Sequence, residues 1–198
     1  MKFIITIGRE YGSGGRFIGE LLAKKLNISF YDENLLTKAS EESGLSEFVF
    51  KSYDEKKDAF FVNGAGLYSY DMSLGQKVFL AQFETIKNIA KNESCVIVGR
   101  CADYALADYQ NVLNVFIYGD EESKVKRIMS HNEGISAKEA KDMMVKKHKQ
   151  RQSYYNYYSS KKWGRADSYD LCINSSKLGV EGTKKLIIQA IEDFENCR

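Results

Sequence analysis

Short β-branched and apolar runs alternate along this chain with stretches whose apolar positions recur every three or four residues, which predicts a parallel sheet covered by helices. The first run, Lys2 to Ile7, leads into a helix from about Gly15 to Leu26 with Phe17, Ile18, Leu21, Leu22 and Leu26 on one face. Ile28 to Tyr31 form a second strand, and Asp32 caps a helix that carries Leu35, Leu36 and Ala39 until Gly44 ends it. A helix over about Leu74 to Lys91 precedes a strand at Ser94 to Gly99, whose lack of alternation indicates burial on both faces.

A short helix spans about Cys101 to Ala107, and Val112 to Tyr118 give the fourth strand. Asp120 and Glu121 open the next helix, which holds Lys124, Lys126 and Arg127. Ser136, Ala137, Lys138 and Glu139 read as a capping box for a helix to about Tyr158. Leu171 to Asn174 form the fifth strand, and Val180 to Phe194 the closing helix. Residues 45 to 75 differ: Phe48, Phe50, Tyr53, Phe60, Phe61, Tyr68 and Tyr70 stand among glycines and lysines. They read either as an insert over the mouth of the sheet or as a cap over core.

The 198 residues suit one domain, and a composition 43% hydrophobic and 28% charged is that of an ordinary globular protein. No run of 18 apolar residues and no secretory leader is present, so no membrane partner is expected and the location expected is cytoplasmic. Cys95, Cys101, Cys172 and Cys197 form no C-x-x-C pair and, with only His131 and His148 beside them, read as structural thiols rather than zinc ligands. A net charge of +2 gives no argument for a nucleic-acid partner.

Candidate chemistry starts at the first turn. After the opening strand the chain reads Gly8-Arg9-Glu10-Tyr11-Gly12-Ser13-Gly14-Gly15-Arg16 and then turns helical. Glycines there allow backbone N–H groups to converge, and the helix adds its positive end, so an anion is expected at Gly12, Ser13, Gly14, Gly15 and Arg16. The pattern G-x-x-x-x-G-K-[ST] is broken, because the frame ending at Gly14 begins with Arg9 and Gly15 takes the lysine position. Arg9 and Arg16 flank the gap, and either can supply the missing cation. The alternative is a tight corner with no ligand.

Two further constellations stand out. No acidic residue lies between Met143 and Ala166, where Lys146, Lys147, Lys149, Arg151, Lys161, Lys162 and Arg165 are interleaved with Tyr154, Tyr155, Tyr157, Tyr158 and Trp163. Such a segment laid over phosphates would neutralise developing charge and exclude water, with Arg151 as first choice; the alternative is a solvated helix face. Gly99 ends the buried strand and Arg100 follows at its carboxyl edge, where open parallel sheets hold ligands. Arg100 suits an anion and Asp103 a base or ribose, unless the two form a surface ion pair. Magnesium ligands are not identified: Ser13, Asp32 and Asp120 qualify by location alone.

These segments resemble the cytidylate kinase-like family, in the branch that opens close to Ile-Thr-Ile-Gly-Arg-Glu-Tyr-Gly-Ser-Gly-Gly-Arg. The resemblance spans nearly the whole chain: Gly8 to Arg16, Tyr31-Asp32, Gly99-Arg100, and Arg151 to Tyr158 through Trp163-Gly164 to Tyr169-Asp170-Leu171. It implies a P-loop kinase α/β three-layer sandwich with strand order 2-3-1-4-5, an acceptor-binding insert at about 33–92 and a helical lid at about 136–166. It also implies phosphoryl transfer from ATP with magnesium to CMP or dCMP, with Asp32, Arg100 and Asp103 on the acceptor side. The family's loop lysine is Gly15 here, its Gly-Arg-Asp is Gly99-Arg100-Cys101, and no arginine occurs between Arg16 and Arg100, leaving Lys38, Lys51, Lys56 or Lys57 to hold the acceptor phosphate.

The leading expectation is therefore an ATP-dependent phosphotransferase acting on a nucleoside monophosphate or related small molecule, with Arg16, Arg9 and Arg151 as catalytic cations. The alternative is a catalytically degenerate nucleotide-binding regulatory protein. Single-stranded nucleic-acid binding through the Lys- and Tyr-rich segment ranks third. Nucleotides are the expected partners, and a homo-oligomer is compatible with the sequence.

Overall fold

The computed structural model of the protein describes residues 2–44, 48–49, 74–159 and 161–196. Strands β1 (Ile4–Arg9), β2 (Ser29–Tyr31), β3 (Cys95–Val98), β4 (Val112–Tyr118) and β5 (Leu171–Asn174) form one sheet in the order β2-β3-β1-β4-β5. Every pairing is parallel, with Ile4 to Ile7 beside Cys95 to Val98 and Ile4 to Arg9 beside Val112 to Ile117. This is the expected order. Helices α1 (Gly15–Leu26), α2 (Asn34–Ser43), α3 (Leu74–Asn92), α4 (Ala102–Ala105), α5 (Glu121–His131), α6 (Ala137–Tyr158) and α7 (Ser175–Asn196) complete the described elements, with a 3-10 turn at Ala166–Ser168.

The pleat sends alternate side chains to opposite faces, so one sheet feeds two cores. Ile5, Ile7, Val96, Val98, Val115 and Ile117 pack under α1 and α7 with Ile18, Leu22, Ile187 and Ile191. Ile4, Cys95, Ile97 and Val112 pack under α3 and α4 with Ile86, Ile89 and Leu106. The result is helix, sheet, helix. Because β3 is buried along its whole length, its run of Cys-Val-Ile-Val shows no polar alternation.

Boundaries differ from the sequence reading where local chemistry intervenes. β1 continues to Arg9, since Gly8 and Arg9 still pair with Phe116 and Ile117. Asp32 does not cap α2. Glu33 holds that position, and the Asp32 N–H donates to Asn34 Oδ1. A helical segment from Ser175 comes before the expected closing helix, and Gly179, with φ of 67°, separates the two just ahead of Val180. The capping box at Ser136 and Glu139 is present with both of its bonds.

Phe17 does not join the core face of α1; it is 53% exposed. Phe50, Tyr53, Phe60, Phe61, Tyr68, Tyr70, Lys51, Lys56 and Lys57 lie outside the described residues. No helix among the described residues is long and apolar enough to cross a membrane. Ile97 has no exposed surface in the centre of β3. Replacing it with Ala should cost about 2–5 kcal/mol of stability, read as a lower midpoint in urea unfolding with an unchanged slope.

Candidate functional site

The carboxyl edge of the sheet opens into a cavity of about 470 Å³, floored by the turn between β1 and α1. Gly12 and Gly14 both take φ of 81°, which a side chain would strain. Two carbonyls of the turn are pinned: Ser175 Oγ, outside the cavity lining, donates to the Ser13 carbonyl at 2.6 Å, and Arg127 Nη1, in the lining, donates to that of Gly12. In a trans peptide the N–H opposes the C=O, so fixing the Ser13 carbonyl from behind turns the Gly14 N–H to the cavity side. Ile18 makes the first intrahelical bond, to Gly14. The amides of Arg16 and Phe17 thus open α1 as first-turn donors at the positive end of the helix.

The cations around this turn are not where a P-loop lysine would put one. A Cβ built on Gly15 would lie 2.7 Å from the Arg9 Cβ, so the stem of Arg9 fills the space in which a residue-15 side chain would start. Arg9 itself is buried, with Nη2 4.0 Å from Asp32 Oδ1. Arg16 faces outward: its side chain is 62% exposed, and it donates to Asp32 Oδ2 at 2.6 Å and to Glu20 at 3.3 Å. The guanidinium of Arg127 lies over Gly14, about 3.5 Å from where a Cβ would stand.

Arg100 closes the opposite wall. Gly99, Arg100 and Cys101 all have positive φ, 78°, 60° and 53°, a strained run that turns the chain sharply at the end of β3. Arg100 is buried, and burial together with the neighbouring Arg9 charge brings its pKa down to about 10, so it stays cationic at neutral pH. Asp103 is buried too, which rules out the surface pair with Arg100. Its Oδ2 accepts from the Tyr155 hydroxyl at 2.5 Å, and it lines a separate cavity of about 30 Å³ behind Arg9, Arg100 and Arg151.

Helix α6 crosses the mouth. His148 Nε2 accepts the Tyr11 N–H at 3.1 Å, which requires the neutral imidazole, and burial lowers the histidine pKa in the same direction. One turn on, Arg151 Nη1 donates to the Arg9 carbonyl at 3.1 Å, and its guanidinium lies 5.8 Å from the Tyr11 ring centre. Lys147 and Gln150 complete that wall.

Asp32 and Glu10, two of the three carboxylates lining the cavity with Glu33, are engaged by cations and do not fit a resident magnesium ion, which demands a near-octahedral set of oxygens. Asp32 faces Arg16 and Arg9, while Glu10 Oε2 accepts from Lys124 at 2.6 Å and from the Gly119 N–H. The Ser13 hydroxyl donates to the Glu10 carbonyl. Asp120 is bonded to Asn174 and Lys177, away from the cavity lining. Among the described residues no group of three His, Cys, Asp or Glu stands ready to hold a metal.

Of the residues singled out in the sequence, Arg9, Gly12, Gly14, Gly15, Arg16, Asp32, Arg100 and Arg151 line one cavity. Ser13 is buried beneath the turn, and Asp103 and Asp120 face elsewhere. Arg127, which lines the cavity, and His148, which accepts from its lining residue Tyr11, were not singled out. The signal for Arg127 lies in the stripe Lys124, Arg127, Ile128 and His131, spaced i, i+3, i+4, i+7 on a helix that starts at the sheet's carboxyl edge. His148 carried no comparable signal.

A five-stranded parallel sheet of this order, with a glycine turn feeding a helix N-terminus at its carboxyl edge, is the P-loop kinase fold. Residues 4–177 match the cytidylate kinase-like family, and the chain belongs to it. A cytidylate kinase from Methanobrevibacter smithii is 25% identical over 191 residues, spanning 96% of this chain and 98% of that protein. The crystal structure of an uncharacterized protein from Eubacterium ventriosum is similar with TM-score 0.73 at 33% identity, covering 96% of this chain and 99% of that one. A shikimate kinase from Bacteroides thetaiotaomicron shares the fold, with TM-score 0.56 at 16% identity over 96% of this chain and 98% of that one.

Restoring the lysine by Gly15→Lys should destabilise the protein by about 1–3 kcal/mol, seen as a lower thermal midpoint, because its Cβ meets the Arg9 stem. A second test concerns pH. Burial raises the Asp103 pKa, so the folded state keeps a proton that the unfolded chain releases near pH 4. That stabilisation is complete below the unfolded value and is lost as pH rises through the higher folded one. Asp103→Asn should therefore lose less thermal stability than the parent between pH 4 and pH 7; parallel curves refute the assignment.

Proposed function

We propose that this protein is an ATP-dependent phosphotransferase that phosphorylates a nucleoside monophosphate or a related small anionic acceptor, CMP and dCMP being the acceptors the family name points to. The observation that carries this reading is the pair of buried guanidiniums, Arg9 and Arg100, close enough for each charge to disfavour the other. Asp32 faces Arg9 and is shared with Arg16, and the charges of Asp32 and Glu33 favour the cationic form of Arg100. A phosphate dianion entering here would meet two desolvated guanidiniums at once, in exchange for the Asp32 carboxylate at Arg9.

In this reading the donor phosphates rest on the amides of Gly14, Arg16 and Phe17, with Arg127 beside them, while the Gly15 N–H donates to Ser13 Oγ at 3.3 Å. Arg100 binds the acceptor's anionic group from the β3 edge, and Arg9 lies between the two sites. Arg151, carried on α6 as a lid, brings a further guanidinium against the transferred group and excludes water as the helix seats. Phosphoryl transfer needs placement and charge stabilisation more than covalent help, and this chain offers those. Magnesium, which the family implies, would travel on the nucleotide's own phosphates. Arg16 has a weaker claim than Arg9, since Asp32 and Glu20 hold it outward. Cys95, Cys101 and Cys172 as thiols support a cytoplasmic setting.

The second reading, a nucleotide-binding protein without turnover, is favoured by the missing loop lysine. A coupled ADP-release assay across nucleoside monophosphates separates the two: turnover with one acceptor supports the kinase, and tight ATP binding without any turnover supports the other. With a turning-over acceptor, Arg100→Ala should lower kcat/KM for that acceptor by about 100-fold while changing ATP affinity little.

A further inference from the structure

We propose that Asp103 and Tyr155 form a positioning pair that sets Arg151 of helix α6 against the phosphate cradle, an inference that rests on the phosphotransfer reading above. The sequence had offered Asp103 as an acceptor-binding group. Its carboxylate instead meets the hydroxyl of Tyr155 at 2.5 Å, with both residues buried, and it does not line the larger cavity.

The two partners belong to parts of the fold with very different anchorage. Asp103 sits on α4, whose Ala102 and Ala105 are packed into the core beneath β3 with Ile97 and Leu106. It therefore reports the position of the sheet. Tyr155 lies one helical turn after Arg151 on α6, and residues four apart share a face with their Cβ atoms about 6 Å apart. The neighbouring Tyr157 is 57% exposed, which fixes the face of α6 that turns inward. A bond from Tyr155 to the sheet thus sets the rotation and height of the turn that carries Arg151.

The small cavity shows what that bond controls. Arg9, Arg100, Asp103, Arg151 and Tyr155 all line its volume of about 30 Å³, room for about one water. The pair stands directly behind the guanidiniums that face the larger cavity. Arg151 donates to the Arg9 carbonyl in this arrangement, and a small rotation of α6 would carry that fork off the cradle. Tyr155 does not itself line the larger cavity, and of the lining residues it meets in the small one, Arg151 is the one carried on its own helix.

A double-mutant cycle on the full chain tests this. Tyr155→Phe should lower kcat about 10-fold with KM for ATP within about threefold, and Arg151→Ala should lower kcat about 100-fold. The double variant should match Arg151→Ala within about twofold, since a positioning group has nothing left to position. Asp103→Asn keeps a carbonyl acceptor and should stay within about threefold of the parent, whereas Asp103→Leu should behave like Tyr155→Phe. Thermal melts of each variant separate misfolding from misplacement. Multiplying effects in the double variant, or full kcat in Tyr155→Phe, overturn the proposal. If the parent turns over no acceptor, the phosphotransfer reading falls, and the same cycle is read in ATP affinity by calorimetry. Non-additivity there sustains the positioning role; additivity or absence of ATP binding overturns it.

Discussion

The close approach of Arg9 to Gly15 decides the character of this site. With the Arg9 Cβ only 2.7 Å from where a Cβ of residue 15 would stand, the end of β1 and the first residue of α1 are packed as tightly as backbone against side-chain stem allows. A side chain at 15 would meet the Arg9 stem, and the cations near the turn come from other elements, Arg127 on α5 and Arg9 on β1. Arg9 is the one packed against the start of α1. Its burial holds the stem in place and makes the charge expensive to leave without an anion nearby.

Around that constraint the turn is held by side chains from several elements. Ser175 at the start of α7 and Arg127 on α5 take successive carbonyls, and Ser13 bonds back to Glu10. Elements far apart in sequence thus fix one short segment, which makes its amide direction a property of the whole fold. Helix α6 adds a third set of ties. His148, Arg151 and Tyr155 recur at i, i+3 and i+7, and they reach Tyr11, Arg9 and Asp103 in turn. That inner stripe explains why a helix with little overall apolar asymmetry seats so definitely.

Much of the architecture was legible because it depends on local patterns. β4 and β5 match the expected limits residue for residue, and the capping box fixes the start of α6. Phe17 was misread because helical periodicity reports a non-solvent face without saying whether core or cavity lies opposite. At the sheet's carboxyl edge the first turn of α1 projects beyond the core, so position 17 overlooks the cavity. Asp103 was misread for a related reason: sequence places it near Arg100, yet after the run of positive φ from Gly99 to Cys101 only Arg100 reaches the larger cavity, and the two meet in the small one behind it. Arg16 stood nearest the turn in sequence, and no pattern could reveal that Asp32 draws it outward. Such pairings arise between elements, where spacing carries no information.

Asp32 makes the difference between the two arginines physical. An incoming phosphate competes with that carboxylate for both guanidiniums, so in the reading proposed here binding exchanges one anion for another rather than neutralising a bare charge. The Arg16 side chain is 62% exposed, so water screens its pair with Asp32 and can replace it at little cost. The Arg9 side chain is 10% exposed and has no such solvent to fall back on. The phosphate therefore gains more from Arg9 than from Arg16, and Asp32, released from Arg9, can keep Arg16 as its partner. In that reading a loop without the lysine still has a cation fixed at the cradle, with the exposed arginine serving to hold the carboxylate aside.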